Sequence, residues 1–157
     1  MAASGVSAGG TLAMNLAYGG NSAIPVRFVF ELAAPTYFVA EDWGSLMKSD
    51  NLGSEEEFYR MMTGKELSAQ EYRQEIKKIS PTCLVGEDSV PTLIGYGLKD
   101  HCVPADQKEY LIDALEKNGV SYDYVEFPHS NHLLYGDLDK MQTFMDLSLE
   151  YCKKYFQ

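Results

Sequence analysis

Positive charge is scarce in this chain of 157 residues: 13 lysines and arginines stand against 23 aspartates and glutamates, a formal charge of −10. No basic cluster offsets it. The surface therefore repels phosphate backbones and anionic lipid, and neither nucleic acid nor a membrane is expected as a partner. Cysteine is scarce too. Cys83, Cys102 and Cys152 are odd in number and widely spaced, which suits neither a disulfide framework nor a zinc site. They read as reduced thiols, and no metal is expected. No apolar run approaches the ~20 residues that span a bilayer. The opening MAASGVSAGG has no basic leader and is broken by glycines, unlike a signal peptide, so the cytoplasm is the expected location. Internal repeats and low-complexity tracts are absent as well.

What remains is an ordinary globular composition, 45% hydrophobic and 23% charged, at the length of one domain. The stretch TLAMNLAY (11–18) predicts a buried helix stopped by Gly19-Gly20. VRFVFEL (26–32), PTLIGY (91–96) and SYDYVEF (121–127) predict strands, being β-branched, aromatic or alternating between turn residues. Between the first two, Ser54 with Glu57 and Ser68 with Glu71 are spaced as capping boxes and predict two short helices. A helix is predicted over 105–117, closed by Asn118-Gly119. A terminal helix is predicted with Met141, Met145, Leu149, Cys152 and Phe156 on its apolar face. Strands alternating with helices imply a mainly parallel sheet flanked by helices, because parallel neighbours need crossover connections. In such sheets chemistry sits at the carboxyl ends of the strands.

Three groups meet that rule. Gly5-Val6-Ser7-Ala8-Gly9 fits GxSxG, a strained strand-to-helix turn that aims a serine hydroxyl outward, with flanking glycines relieving the crowding. The Ala8 N–H then stands at a helix N-terminus, where a developing oxyanion would accept from it. Alone the pentapeptide is weak, since chance yields it in about one chain in twenty of this length. Its context adds Asp100, on the loop after PTLIGY, and then His132, on the loop after the next strand, in the order serine, acid, base. His129 competes with His132, and spacing does not separate them. His101 is disfavoured because neighbouring side chains on an extended backbone point apart. Glu31 is a second possible acid, more naturally read as solvated at a strand rim. Trp43, Tyr59, Tyr72 and Met61-Met62 are more naturally packing or surface residues than pocket walls.

GVSAGG, PTLIGYGLKDHCVP and FPHSNHLL resemble, in wording and separation, the esterase/lipase branch of the α/β-hydrolase family, and the resemblance runs over nearly the whole chain. In that family G-x-x-D-x-x-V-P holds the acid, matched here by Gly97, Asp100, Val103 and Pro104. The family pattern around the histidine fits Asn131-His132-Leu133 better than His129. The resemblance implies a carboxylic ester hydrolase with Ser7, His132 and Asp100 as its triad, Ala8 as oxyanion donor, and no metal or organic cofactor. It also implies one α/β-hydrolase domain over 1–157, with a helical lid over 42–79 inserted before the acid-bearing strand. Family members carry roughly a hundred residues before the serine turn, including a second oxyanion loop. The chain is therefore expected to be a truncated domain or a mis-started reading frame, with the strand before Ser7 reduced to a stub and its exposed sheet edge prone to homo-oligomerise. A peptidase or thioesterase of the same fold is the alternative, as is an inert fragment needing a partner.

Overall fold

The computed structural model describes residues 1–39, 54–104 and 106–157. Among these, four strands form one sheet in the order β1-β2-β3-β4: Ala2–Val6 (β1), Phe28–Leu32 (β2), Thr92–Gly97 (β3) and Tyr122–Phe127 (β4). Every neighbouring pair is parallel, as the strand and helix alternation requires. The strand before Ser7 is not a stub. All five of its residues pair with β2, from Ala2 opposite Phe28 to Val6 opposite Leu32, and Arg27 N–H extends the ladder to the Met1 carbonyl at 2.8 Å.

Helices cover both faces. Ala8–Tyr18 (α1) and Gln107–Lys117 (α5) lie on one side. There Met14, Leu111 and Leu115 pack on Val29, Ile94 and Tyr96, the sheet residues that point the same way. Leu138–Tyr155 (α6) covers the other side, with Phe144 and Tyr151 against Phe28, Leu93, Val125 and Phe127. Two sequence expectations shift here. Helix α1 is buried on one face only, leaving Leu12 69% exposed. In α6 the buried row is Phe144, Ser148 and Tyr151, while Met145 and Leu149 face outward. The reason is geometric: each four-residue step overshoots a turn by about 40°, so Met141, Met145 and Leu149 drift around the helix, whereas alternating steps of three and four hold one face.

Both capping boxes form. Ser54 opens Glu55–Thr63 (α2) and Ser68 opens Ala69–Glu75 (α3), each hydroxyl accepting from the glutamate N–H three residues on while that carboxylate accepts from the serine N–H. A 3₁₀ turn (Ile76–Ile79) and a short helix, Pro81–Leu84 (α4), lead on to β3. Phe58, Tyr59, Tyr72 and Ile76 close a small apolar cluster over Phe38, with the Tyr59 and Tyr72 rings stacked 3.9 Å apart. These tyrosines are packing residues. The first part of the expected lid, including Trp43, lies outside the described residues. Among the described residues no helix is long and apolar enough to cross a membrane.

Candidate active site

Strand β1 ends at Val6 and α1 begins at Ala8, so Ser7 alone makes the turn between them. Its backbone takes φ 54° and ψ −129°, a region that costs a side-chain-bearing residue about 1–3 kcal/mol. Hydrogen bonds hold the strain in place. Ser7 N–H donates to the Leu32 carbonyl at 2.8 Å, and the Ser7 carbonyl accepts from Gly10 N–H at 2.9 Å and Thr11 N–H at 3.2 Å. The turn folds Gly5 so closely over Gly9 that a Cβ on Gly5 would lie 2.2 Å from the Gly9 carbonyl. Gly10 is equally constrained, since a Cβ there would meet that of Ala34 at 2.7 Å. Gly9, by contrast, faces open space. The second glycine that relieves crowding is therefore Gly10, one position beyond the end of the GxSxG pattern. Ala8 is the first helical residue, so its N–H lies outside the helical ladder and at the positive end of the helix dipole.

His132 reaches this hydroxyl from the other end of the chain. Its Nε2 lies 3.0 Å from Ser7 Oγ, and its Nδ1 lies 2.7 Å from Asp100 Oδ2. Asp100 is pre-set by its own loop: its Oδ1 accepts from the N–H groups of Cys102 at 2.8 Å and Val103 at 2.9 Å, leaving Oδ2 for the imidazole. The Asp100 side chain is fully buried and that of His132 is 19% exposed. Because an ionised carboxylate only accepts, Nδ1 carries the proton and Nε2 turns a lone pair toward Ser7. His101 is exposed.

His129, the rival base, has another task. Its ring Nδ1 lies 2.7 Å from Asp137 Oδ1, and its N–H donates to Asp137 Oδ2 at 2.9 Å, with 73% of the side chain in solvent. Ser130 Oγ also donates to Asp137 Oδ2 at 2.6 Å and accepts from Gly136 N–H at 3.0 Å. Burial opposes ionisation of Asp137, but these bonds from Ser130 and His129 outweigh it and hold its carboxyl below the usual range. The Ser130 carbonyl in turn accepts from Lys99 N–H at 3.0 Å, tying the histidine loop to the acid loop. Sequence reading missed Asp137 and Ser130 as positioning residues. The one available signal was an aspartate closing a loop whose serine and histidines compete for it.

Glu31 is not solvated. It is wholly buried beneath the turn, where Oε2 accepts from Ala34 N–H at 3.0 Å and Oε1 makes no close hydrogen bond among the described residues. Burial pushes its pKa well above the usual carboxylate range, and backbone N–H groups of Ala34 and Gly95 only partly offset this. Beside it, Tyr96 is kept neutral by burial and by the Glu31 and Asp100 carboxyls, and its hydroxyl donates to the Ala34 carbonyl.

The model of the prolyl oligopeptidase family matches residues 1–157. The chain belongs to the prolyl oligopeptidase family. Its fold is that of the α/β-hydrolases, as the motif wording implied, and solved structures share it. A truncated form of a carbohydrate esterase from gut microbiota superposes with a TM-score of 0.71 at 19% identity, covering 98% of this chain and 59% of the other. An esterase of the planctomycete Thermogutta terrifontis with propionate bound gives 0.68 at 21% identity, covering 98% of this chain and 55% of the other. Acylaminoacyl peptidase of Pyrococcus horikoshii gives 0.70 at 15% identity, covering 98% of this chain and 23% of that one. The chain thus spans little more than half the length of these esterases. No curated protein matches it. For a prolyl oligopeptidase family member, this range of relatives carries the fold and leaves ester and amide substrates both open.

Proposed function

We propose that this chain carries the acyl-transfer machinery of a serine hydrolase acting on carboxylic esters. The observation that supports it is the unbroken run of hydrogen bonds from Ser7 Oγ through His132 to Asp100. His132 Nε2 takes the Ser7 proton as Oγ attacks the ester carbonyl, and Asp100 holds the ring in the competent tautomer and stabilises the imidazolium that forms. The tetrahedral oxyanion accepts from Ala8 N–H, a donor of a kind worth about 2.7–4 kcal/mol in the transition state. Collapse expels the alcohol, which takes the proton from His132. Water, deprotonated by the same nitrogen, then releases the acid and restores Ser7. No step calls on a metal or organic cofactor.

The family membership and the likeness to acylaminoacyl peptidase favour a second reading, cleavage of an aminoacyl amide by the same residues. The decisive experiment has two parts. A fluorophosphonate probe should label the wild type and not Ser7→Ala, and equal labelling of both removes Ser7 as nucleophile. A panel of p-nitrophenyl esters and aminoacyl amides then separates the two readings by relative kcat/KM.

A further inference from the structure

The imidazole that serves Ser7 has a second face, and that face is a ligand cluster. Donor atoms of Asp100, Cys102 and His132 all lie within 4.8 Å of one another. The Cys102 thiol is free and exposed, two residues beyond the acid. Its backbone N–H already bonds Asp100 Oδ1 at 2.8 Å, so the loop fixes the backbone that bears the thiol beside Asp100. Spacing along the chain hides this group, because zinc patterns read from sequence rest on closely spaced ligands, whereas His132 lies 32 residues beyond Asp100.

We infer that Asp100, Cys102 and His132 form an inhibitory site for a thiophilic divalent cation, zinc by donor chemistry, on the side of the imidazole away from Ser7. One thiolate, one imidazole and one carboxylate favour zinc or cadmium over magnesium or calcium, which take all-oxygen shells. Zn–S near 2.3 Å and Zn–N or Zn–O near 2.0–2.1 Å place tetrahedral ligand atoms roughly 3.3–3.6 Å apart. The cluster closes to that span by rotation of the exposed Cys102 side chain and a small parting of Asp100 from His132. Water completes the tetrahedron.

Inhibition follows from proton accounting. Binding converts the Cys102 thiol to thiolate and releases one proton to solvent. At His132 the metal takes the Nδ1 lone pair, so the ring proton moves from Nδ1 to Nε2 with no net loss. Nε2, 3.0 Å from Ser7 Oγ, then donates a hydrogen bond instead of accepting a proton. The serine keeps its hydroxyl proton and has no base. The inhibitory half of this inference rests on the function proposed above; the binding half does not.

Two readouts test it on protein first stripped with a chelator. Zinc titrated by calorimetry should bind one equivalent, and cadmium should raise a sulfur-to-metal charge-transfer absorption. Cys102→Ser should lose that band and weaken zinc binding at least tenfold, while the Cys83→Ser/Cys152→Ser double variant retains both. Zinc should slow fluorophosphonate labelling of the wild type at least tenfold, reversibly with chelator, and leave labelling of Cys102→Ser unchanged. No cadmium band in the wild type, or a band kept by Cys102→Ser, overturns the site. A Cys102-dependent band with labelling indifferent to zinc overturns the inhibition. A protein that is never labelled yet shows the Cys102-dependent band overturns the proposed function and leaves the binding site standing.

Discussion

Gly97 lies against the backbone of Ser130 so closely that a Cβ on it would stand 2.5 Å from the Ser130 carbonyl oxygen and 2.7 Å from that of Asn131. The last residue of β3 thus meets the histidine loop backbone to backbone, and this contact sets how near Asp100 comes to His132. Gly97→Ala must push the loops apart. Overpacking of this kind costs about 1–3 kcal/mol, a fall in Tm of roughly 2–12 °C at this chain length. Labelling at Ser7 should fall more steeply than folded fraction, because His132 is displaced in molecules that still fold. Thermal melts and labelling rates on the same samples check both.

His132 and His129 separate cleanly by substitution. On the proposed function His132→Gln removes the base and should lower the labelling rate by about 10²–10⁴. His129→Gln leaves Ser7, His132 and Asp100 untouched and should label within a few-fold of wild type, with a lower Tm because Asp137 loses a partner. Labelling rates of the two variants at equal folded fraction give the answer, and similar losses in both would remove His132 from its assigned role.

The two glycines of the pentapeptide should behave oppositely. Gly5→Ala drives a Cβ into the Gly9 carbonyl at 2.2 Å and should cost about 3 kcal/mol or more. Gly9→Ala adds a methyl where nothing lies within 4 Å, inside α1. It should stabilise by about 0.5–1 kcal/mol through helix propensity. Urea denaturation of both variants measures the contrast.

Much of this arrangement was legible in the chain itself. The three groups stand at strand ends in a fixed order, and the capping boxes of Ser54 and Ser68 are local chemistry that needs nothing distant. Other features depend on what lies across the fold. Glu31 reads as a solvated rim residue until α1 and Tyr96 are seen to cover it, and no neighbour in sequence says so. The face of α6 was misread because Met145 and Leu149 are apolar, while the sheet accepts the row of Phe144, Ser148 and Tyr151 instead. Whether His129 or His132 meets Ser7 turns on Asp137, which claims the first and leaves the second for Asp100.

Glu31 makes stability depend on pH with a definite sign. The folded chain holds this proton more tightly than the unfolded chain does. The resulting stabilisation is complete below the unfolded carboxyl pKa and is lost as pH rises toward the folded one, at up to about 1.4 kcal/mol per pH unit. Glu31→Gln has no such proton, so its advantage in Tm over wild type should widen from pH 4.5 to pH 8.5. Parallel Tm profiles would assign the pH dependence elsewhere.

Among the described residues strand β1 is bonded to β2 on one side and to no strand on the other, with Ser4 and Val6 exposed. An unpaired edge of this kind recruits another strand, and we expect a second copy of the chain to occupy it. The charge of −10 opposes that association, so it should strengthen with salt. Sedimentation velocity should show a concentration-dependent dimer that Ser4→Lys weakens. A monomer at every concentration and salt would count against the edge as an interface.

The hydroxyl of Ser7 and the imidazole of His132 are 125 residues apart in the chain, and this spacing governs when reactivity appears during synthesis. At about 5–20 residues per second, a ribosome needs roughly 6–25 s to travel from one to the other. Throughout that interval the Ser7 hydroxyl has no imidazole to meet, and α6, which follows the histidine loop, has yet to be made. Under the proposed function, recovery of probe labelling after dilution from denaturant should report docking of the histidine loop beside β1 rather than folding of β1 and α1 alone.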